Sequence, residues 1–582
     1  MIEPSTLPHR FLCTISLCLL LVLGLSAQNR YAKWGKLSDA ELAMSSYEAD
    51  SNAAAVVLAD QGYISFVLVD GVRYRFFRHC RIKILKEAGF KHTDVNIPFY
   101  SAKNEERLVS LKAQIFSPDG QKQTVSKKAI FTEQLSDEWS ARKFSFPNVE
   151  VGSIIEYRYE IVSKRFVKLR DWYFQQDIPV VYSELKLDIP KWFEYVYLFQ
   201  GGENKIRRER DDGSFVLESK AGGTLLEGDA KVQLESDRII MENVPALREA
   251  PYITTMEDYL AKLQLQLRRI QYPNGDVELF MDTWEVLADN LKKHSSFGQQ
   301  YRKGKFSQRL VSIARNQIKD ADSPREKIDK LYYFLAKQVK WNGDYSPYVR
   351  SSLDEAFENG EANSGELNLM LLALLRQLTD IEAYPMMIST RSHGKVIKQY
   401  PIIDQFNHVI VRAVLEEGPL LLDVGDELRP PGFPRIESLN NFGWQVSEEP
   451  EWRTVIAAKG ADVLMVDCEL AANGTISGRI EGRYMGYEAI NEHQAFMTET
   501  AKSRWMDRLT EKFPDAQIDS ISFVPGREEG KPFKMNVFFQ LPNAAQVNEG
   551  LIYVDPIIYS LFDQSIHPAA LRRFGHKGLM LI

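Results

Sequence analysis

The stretch "ENGEANSGELNLMLLALLRQL", residues Glu358 to Leu378, joins a polar, glycine-containing turn directly to an apolar helix. Its apolar residues recur at intervals of three and four, which predicts an amphipathic helix with one buried face. These residues are Leu367, Met370, Leu371, Leu374, Leu375 and Leu378. Asn363 and Glu366 have the spacing of a capping box, which places Ser364 in the first turn of this helix.

Ser364 stands where a thiol-dependent acyl-transfer enzyme has its cysteine. A helix N-terminus offers free N–H groups and a positive dipole end, which lower the pKa of a thiol. The effect, about 0.3–1 kcal/mol at an exposed terminus, is far too small to ionise a hydroxyl. A nucleophilic serine therefore needs a general base. Two interpretations stay open: Ser364 is a nucleophile, or it is a first-turn residue of a capped helix.

His408 in "FNHVIV" and Asp423 in "LLLDVGD" are the candidate partners of Ser364. They lie on successive predicted strands joined through "EEGP", and the midpoint between them falls close to that turn. The order nucleophile, histidine, aspartate suits an aspartate that orients an imidazole while the imidazole takes the proton. Each residue also has a structural interpretation: His408 bonds a backbone carbonyl, and Asp423 caps the turn that follows it.

Aromatic side chains precede the predicted helix. Trp341 and Tyr345 in "WNGDYSPY" are candidates for lining a groove beside the helix start, with Asn363 and Asn407 as further candidates. The alternative for both aromatic residues is a place in the core.

The region before the predicted helices has a strand pattern. "YISFVLVDGVRYRFFRHCRIKIL" places Asp70 and Gly71 between two strand-like runs, which predicts a type I′ hairpin. "SIIEYRYEIVS" alternates apolar residues with Glu156, Arg158 and Glu160, so one face of this strand is predicted to be buried and the other to be charged and exposed. The pattern favours an antiparallel β-sandwich.

Signals beyond this sandwich predict helices and then more strands. "SPREKIDKLYYFLAKQV" has Ser323 as its N-cap, Pro324 in the first turn and Glu326 as the capping-box partner. "EAYPMMIST", "FNHVIVRAVL" and "GPLLLDVGD" are strand candidates that follow the central helix. From about residue 450 the chain again reads as β-rich, with a hairpin around Asn473 and Gly474 and a helix near 487 to 512.

The N-terminus predicts export. "FLCTISLCLLLVLGLSA" is an apolar stretch that ends in small residues, and cleavage is predicted after Ala27, with an uncleaved anchor helix as the alternative. Cys80 and Cys468 then remain, too few for more than one disulfide and without zinc-site spacing. Both are predicted to be small buried residues in strands.

Four segments together resemble a known family: "SPREKIDKLYYFLAKQVKW", "EANSGELNLMLLALLRQLTDIEAYPMMIST", "FNHVIV" and "LLLDVGD" are similar to the core of a bacterial transglutaminase-like domain. The resemblance implies a papain-like fold with the nucleophile at the start of a central helix packed on a sheet. It implies catalytic roles for His408 and Asp423 and places Ser364 where the family has cysteine. Ala362 stands where the family commonly has glycine. No cysteine lies between Cys80 and Cys468, so no shifted alignment restores the thiol.

The N-terminal region carries a second resemblance. "SDAELAMSSYEADSNAAAVVLAD" and "FPNVEVGSIIEYRYEIVS" resemble a β-rich domain of unknown function that often precedes such a core in secreted proteins of Gram-negative bacteria. The two resemblances span about residues 36 to 445 and imply an α+β protein. The predicted divisions are a signal peptide (1–27), a β-sandwich (28–250), a helical connector (251–305), a transglutaminase-like domain (306–445) and a C-terminal β-rich domain (446–582).

Composition narrows the classes of function. The chain has 582 residues, of which 44% are hydrophobic and 26% are charged. Its formal net charge of −7 argues against a nucleic-acid partner. The nine histidines show no paired-ligand spacing, so neither a metal nor another cofactor is predicted. After cleavage of the signal no membrane span is predicted. The oligomeric state is not predicted.

Three hypotheses remain from the sequence. The first is an exported, catalytically silent transglutaminase-like protein that binds a peptide, protein or glycan or acts as a scaffold, in the periplasm or at the surface of a Gram-negative bacterium. The second is a serine hydrolase or acyltransferase for peptide or amide substrates that uses Ser364, His408 and Asp423. The third is an architectural envelope protein whose β domains do the binding.

Overall fold

The computed structural model describes residues 32–67, 71–136, 138–201, 205–217, 230–248, 255–272, 274–281, 283–302, 308–498, 500–524, 533–548, 551–555 and 558. The chain forms two compact units, Met1–Glu249 with Leu260–Phe280 and Ala250–Tyr259 with Met281–Ile582. The predicted signal peptide (1–27) and Asp70 of the predicted hairpin lie outside the described residues. Each unit has hydrophobic core clusters of its own.

The first unit is built almost entirely from strands. Its elements are α1 (Asp39–Ala43), β1 (Ala55–Val67), β2 (Arg73–Ile84), β3 (Asp94–Tyr100), β4 (Glu106–Phe116), β5 (Lys122–Thr124), β6 (Phe131–Gln134), β7 (Trp139–Ser145), β8 (Ile154–Ser163), β9 (Trp172–Tyr173), β10 (Val180–Pro190), β11 (Phe193–Gln200), β12 (Arg207–Leu217), β13 (Ala230–Val244), β14 (Lys262–Gln271) and β15 (Val277–Leu279). The largest sheet has the order β12-β13-β10-β1-β2-β8-β4-β5. A second sheet has the order β11-β14-β15, with β9 also on β14, and a third has the order β3-β7-β6.

These sheets contribute to one hydrophobic core, to which Ile64 of β1, Phe99 of β3 and Leu265 of β14 all belong. The predicted antiparallel pairing of β1 with β2 is confirmed, whereas the type I′ turn, which includes Asp70, stays a prediction. The expectation of a purely antiparallel arrangement is wrong at one place, because β1 and β10 pair in parallel, with Val57 opposite Val180. More than a hundred residues separate these two strands, so no hairpin fixes their relative direction.

The predicted exposed charged face of β8 is also corrected. Glu156 is fully buried, where it accepts hydrogen bonds from Arg81, His79 and the backbone N–H of Gly35. Residues 33–44 cover this face of the sheet, and the backbone carbonyl of Lys33 accepts a further hydrogen bond from Arg81. At Glu156 the charged face of β8 is therefore part of a buried ion-pair cluster, whereas Arg158 and Glu160 are half-buried.

The predicted helical connector (251–305) is wrong in its first half. Residues 262–279 contain β14 and β15, which belong to the first unit. The reason is visible in "KLQLQLRRIQ", where Leu263, Leu265 and Leu267 alternate with polar residues at the period of a strand. All three leucines are buried in the core of the first unit. Among the described residues of this range, a single 3-10 turn spans Met256–Asp258, and the first α-helix begins at Trp284.

The second unit mixes helices and sheets. Its elements are α2 (Trp284–Lys293), α3 (Gln308–Arg315), α4 (Pro324–Gln338), β16 (Lys340–Trp341), α5 (Leu353–Asn359), β17 (Glu361–Ala362), α6 (Ser364–Leu378), β18 (Ala383–Ile388), β19 (His408–Leu415), β20 (Gly418–Leu422), β21 (Asn441–Gln445), β22 (Glu451–Val455), β23 (Ala461–Leu470), β24 (Ile476–Met485), α7 (Tyr487–Met497), α8 (Ala501–Thr510), β25 (Gln517–Val524), β26 (Phe533–Leu541), β27 (Ala545–Asn548) and β28 (Leu551–Val554). The predicted capping box of α4 at Ser323 is confirmed, and its predicted residues Ile328 and Leu331 are fully buried.

The helix α6 is the centre of this unit. One side of α6 packs on β18 and β19, which belong to a sheet of order β20-β19-β18-β21-β22. The helix also packs against α3, α4 and α5. The helix followed by antiparallel strands agrees with the sequence pattern. The predicted single buried face underestimates the burial of this helix, however, because all residues from Ser364 to Leu375 are buried. Helices on one side and a sheet on the other leave no solvent-facing side over these turns.

The C-terminal part forms a separate sheet of order β23-β24-β26-β25, and α7 and α8 contribute to its core. The predicted hairpin is confirmed: β23 and β24 pair antiparallel, and Gly474 has a φ of 82° in the turn. Cys80 is buried on β2 as predicted, whereas the prediction is wrong for Cys468, which is exposed on β23; neither thiol is paired. Within the described residues, none of the helices has the length and apolar character required to cross a membrane.

Candidate active site

Three elements of the second unit bring the predicted triad residues together. Ser364 is the first residue of α6, His408 is the first residue of β19, and Asp423 directly follows β20. The register of β19 and β20 places Val411 opposite Leu422, so His408 and Asp423 lie at the same end of this hairpin. That end meets the N-terminus of α6.

The distances are those of a continuous hydrogen-bonded chain. The Ser364 Oγ lies 2.9 Å from His408 Nδ1, and His408 Nε2 lies 3.2 Å from Asp423 Oδ1. An ionised carboxylate only accepts, so the imidazole Nε2–H donates to Asp423 and leaves Nδ1 free to accept from the Ser364 hydroxyl. This is the tautomer that a general base requires.

Asp423 has more partners than the histidine alone. The backbone N–H of Arg435 donates to its Oδ2 at 2.9 Å, and the Arg435 guanidinium Nη2 donates to Oδ1. The Ser438 hydroxyl donates to Oδ2 at 2.8 Å. Asn368, one turn after Ser364 on α6, donates to Oδ1 at 3.4 Å and accepts from the next backbone N–H after Asp423. The carboxylate is thus fixed from several directions inside the core.

The electrostatics keep the carboxylate ionised and the imidazole neutral. Burial alone would raise the pKa of Asp423, but the charge of Arg435 and the partnership with His408 outweigh it and hold this pKa well below its usual value. Burial lowers the pKa of His408; the Asp423 carboxylate opposes this, and the Arg435 charge adds to it. At neutral pH the cluster therefore contains one anion, one cation and a neutral imidazole.

Arg435 is the cation of this cluster. Its guanidinium carbon lies 4.5 Å from the Trp341 ring centre and 5.6 Å from the Tyr345 ring centre, which is cation–π geometry. Gly425 makes room for it, because a Cβ there would lie 2.8 Å from the Arg435 Nη1. The Tyr345 ring also packs edge-on against His408, with ring centres 5.3 Å apart.

A loop encloses the serine. We call Asp344–Pro347 the covering segment. Its Ser346 N–H donates to the Ser364 Oγ at 3.1 Å, and the Ser346 carbonyl lies 3.3 Å from the same Oγ. The Ser364 backbone N–H donates to the Asp344 carbonyl at 3.0 Å. A Cβ on Gly365 would lie only 2.4 Å from the Ser346 carbonyl oxygen, which shows how closely the segment sits on α6. Ser364 and His408 are 0% exposed as a result.

The remaining predicted residues lie next to the triad residues. Asn363 is buried as the N-cap and forms the predicted capping box with Glu366. Asn407 bonds the backbone N–H and the hydroxyl of Thr390. Trp341 and Tyr345 are half-buried over the cluster, where the Trp341 Nε1 donates to the Asp344 carbonyl. Both rings thus lie over the buried cluster, and a groove beside them stays a prediction.

One cavity near the start of α6 borders Glu366. This cavity of about 290 Å³ is lined by Arg350, Ser351, Glu355, Ala356, Asn359, Glu361 and Glu366, and by none of the three triad residues. Glu366 accepts from the Arg350 backbone N–H at 2.9 Å and from the Asn363 backbone N–H at 2.8 Å. Its carboxylate thus serves to cap the helix and hold the loop after the covering segment.

The sequence analysis missed Asn368, Arg435 and Ser438. Asn368 gave one signal, a polar residue inside the apolar run "LNLMLL" at one helical turn from Ser364. Arg435 and Ser438 follow a proline- and glycine-containing loop and carried no local pattern that points to the site.

Comparisons with known proteins address the first unit most directly. Residues 72–221 match the family model of DUF3857, a domain of unknown function with a solved structure. This confirms the resemblance of the N-terminal region to a domain of unknown function. No curated protein shows significant similarity to this chain. A crystal structure of a "putative protease" from Parabacteroides distasonis aligns with 84% of this chain and 93% of its own, at 10% identity and a TM-score of 0.49. Function must therefore be argued from the site.

Proposed function

We propose that this chain is an exported, catalytically silent transglutaminase-like protein of the bacterial cell envelope, which binds a peptide or glycan or acts as a scaffold. The arrangement in support is a hydroxyl at the start of a central helix, with a histidine and an aspartate on the adjoining sheet. That is the placement expected from the family resemblance. The cysteine is absent, and the hydroxyl in its place is not available to a substrate.

The observation that carries the proposal is the enclosure of Ser364. A nucleophile needs a free approach to its oxygen, yet both backbone groups of Ser346 contact the Ser364 Oγ. The N–H of a nucleophile at a helix start is a natural donor to an oxyanion. Here the Ser364 N–H is already bonded to Asp344. Acyl transfer at this serine would require the covering segment to leave and several hydrogen bonds to break.

The charges around His408 also argue against a role as a general base. A general base must take up a proton in the transition state, and the triad aspartate stabilises the imidazolium that results. In this cluster the guanidinium of Arg435 already shares the Asp423 carboxylate. A protonated His408 would face that guanidinium in a fully buried site, which disfavours proton uptake.

A thiol introduced at the site tests the enclosure. In the chain from Gln28 onward, exposed Cys468 reacts with a thiol reagent and buried Cys80 is protected, so the native protein should show one rapidly reacting thiol. The Ser364→Cys variant should also show one rapidly reacting thiol, and its two buried thiols, at positions 80 and 364, should react only on unfolding. The measurement is the time course of thiol release monitored with a chromogenic disulfide reagent.

Cys468→Ser provides the matched control, because it removes the rapid reaction and leaves the signal at position 364 alone. Rapid reaction of the new thiol in the folded Ser364→Cys, Cys468→Ser protein would contradict a closed site.

The second candidate is a serine hydrolase or acyltransferase for peptide or amide substrates. The observation in its favour is the complete hydrogen-bonded chain from Ser364 through His408 to Asp423, with the imidazole in the tautomer of a base. In that case the covering segment would open when substrate binds. Covalent labelling of Ser364 separates the two candidates.

A further inference from the structure

The strand β23 is an open edge of the C-terminal sheet. It pairs with β24 on one side, and no other strand of the described residues pairs with its second side. Of its ten residues only Leu464 is half-buried, and the others are exposed. An edge strand of this length presents a row of unpaired backbone donors and acceptors, which is a template for a further strand.

The register shows which backbone groups are available. Ala471 N–H donates to the Thr475 carbonyl, so this is a hydrogen-bonded pair beside the hairpin turn. Bonded and non-bonded pairs alternate along an antiparallel ladder. The residues of β23 whose N–H and carbonyl groups point away from β24 are therefore every second one: Asp462, Leu464, Val466, Cys468 and Leu470.

The side chains of β23 give this edge a chemical character. Val463 and Met465 are 49% and 56% exposed and form an apolar strip. Asp462, Asp467 and Glu469 are carboxylates, and the strand contains no lysine or arginine. Burial and the carboxylates of nearby α7 raise the pKa of Asp462, in keeping with a locally negative field. The edge is thus apolar and acidic together.

The strand β23 has no lysine, proline or bulge, three of the devices that protect edge strands, and its charged side chains are all carboxylates. Natural edges are commonly blunted by lysine, proline or a bulge. The β23 sequence "ADVLMVDCEL" has neither of these residues, and its pairing with β24 is continuous from Ala461 to Leu470. Pairing with a second copy is disfavoured, since each strand would bring three carboxylates and no cation to the contact.

We propose that β23 is a docking site for an extended peptide segment of another protein with alternating apolar and basic side chains, which adds to the sheet as a fifth strand. Backbone hydrogen bonds to the outward groups supply affinity, as in other cases of strand addition. On the face that carries Val463, Met465, Asp467 and Glu469, basic side chains of the segment meet the two carboxylates, and their aliphatic stems cover Val463 and Met465. The apolar side chains of the segment lie on the opposite face, beside Leu464, Val466 and Leu470. This surface is independent of the chemistry proposed for Ser364.

A synthetic probe tests the site on the full chain from Gln28 onward. The probe is a fluorescein-labelled peptide of sequence Lys-Val-Lys-Val-Lys-Val-Lys, and the readout is fluorescence anisotropy. Saturable binding that weakens with added salt is expected. Val466→Pro should weaken binding by about tenfold or more, because it removes an outward N–H while the ladder with β24 is kept. Val466→Thr keeps that N–H and is the matched control, with affinity expected within about twofold.

A charge exchange keeps the test decisive even where the proline variant folds poorly. Asp467→Lys combined with Glu469→Lys should weaken the binding of the Lys-Val peptide. The same variant should bind the corresponding Glu-Val peptide, which the native chain should not bind. Circular dichroism confirms that each variant is folded.

Several results would overturn the proposal. The first is that the Lys-Val peptide does not bind, and the second is that it binds equally well to Val466→Pro and to the charge-exchange variant. The third is a doubled mass of the protein in solution that Val466→Pro abolishes, which would identify a second copy as the occupant. Binding that appears only after truncation behind Ile558 would assign the edge to the chain's own C-terminal residues.

Discussion

The Asp423→Ala variant is expected to lower the free energy of unfolding of the second unit by about 3–5 kcal/mol, because it leaves a buried cation without its partner. Arg435 is 5% exposed and directs both its backbone N–H and its Nη2 to this carboxylate. The Ser438 hydroxyl would lose its acceptor as well. The loss should appear as faster hydrogen exchange across Ser364–Leu378, measured by mass spectrometry in increasing urea.

Two controls separate the ion pair from simple packing. Ser438→Ala removes one hydrogen bond and should lower the stability by about 1 kcal/mol. Asp423→Ala combined with Arg435→Met removes both charges and should recover a large part of the loss, since a buried pair replaced by apolar groups is often close to neutral. A loss below about 1 kcal/mol for Asp423→Ala alone would contradict a buried, mutually dependent cluster.

In the first unit, Glu156→Ala is expected to lower the stability by a similar amount, about 3–5 kcal/mol. Glu156 is fully buried and accepts hydrogen bonds from His79 and Arg81, from the Gln114 side chain at 2.6 Å and from the Gly35 N–H at 2.9 Å. The variant leaves Arg81 buried with only the Glu41 carboxylate and the Lys33 carbonyl as acceptors. Hydrogen exchange of β8, measured in urea, reports the change.

The same residue makes the first unit sensitive to acid. Burial alone would raise the pKa of Glu156, but hydrogen bonds from His79 and the charge of Arg81 lower it from 4.5 to about 2. Because the folded-state pKa is the lower one, the ionised carboxylate stabilises the fold above about pH 4.5, and this contribution is lost as the pH falls toward 2. The shift corresponds to about 3 kcal/mol.

Glu160→Gln is the matched control on the same strand. Glu160 forms an ion pair with Arg75, whose side chain is 53% exposed, and such a pair is worth less than about 1 kcal/mol. The unfolding midpoint of Glu156→Gln should change less between pH 5 and pH 3 than that of the native chain, whereas Glu160→Gln should follow the native chain. Equal acid sensitivity of all three proteins would contradict the assigned role of Glu156.

Local patterns in the sequence predicted much of the second unit. The capping pairs at Ser323 and Asn363 and the three-and-four spacing of apolar residues predicted α4 and α6, because caps and periodicity are local properties. The turn midway between His408 and Asp423 also predicted that both lie at one end of a hairpin, close to the helix that begins at Ser364. Helix α6 is more buried than expected, since α3, α4 and α5 cover its outer face, and the pattern within α6 does not show this packing.

Long-range contacts explain what the sequence did not predict. Glu156 looked solvent-exposed because nothing in "SIIEYRYEIVS" indicates that residues 33–44 fold over it. The strand period of residues 262–271 was overlooked between helical segments. Arg435 reaches Asp423 through a loop whose course depends on the whole unit, and the closure of the site depends on the covering segment Asp344–Pro347.

The closed state of Ser364 is tested most directly by intact-mass spectrometry of the full chain from Gln28 after incubation with a fluorophosphonate probe at neutral pH. An enclosed hydroxyl should give no adduct at Ser364, so that incubation with the probe should have the same effect on the mass of the native chain and on that of Ser364→Ala. A stoichiometric adduct that maps to Ser364 and is absent from Ser364→Ala would contradict the proposed silent site and would establish a reactive serine.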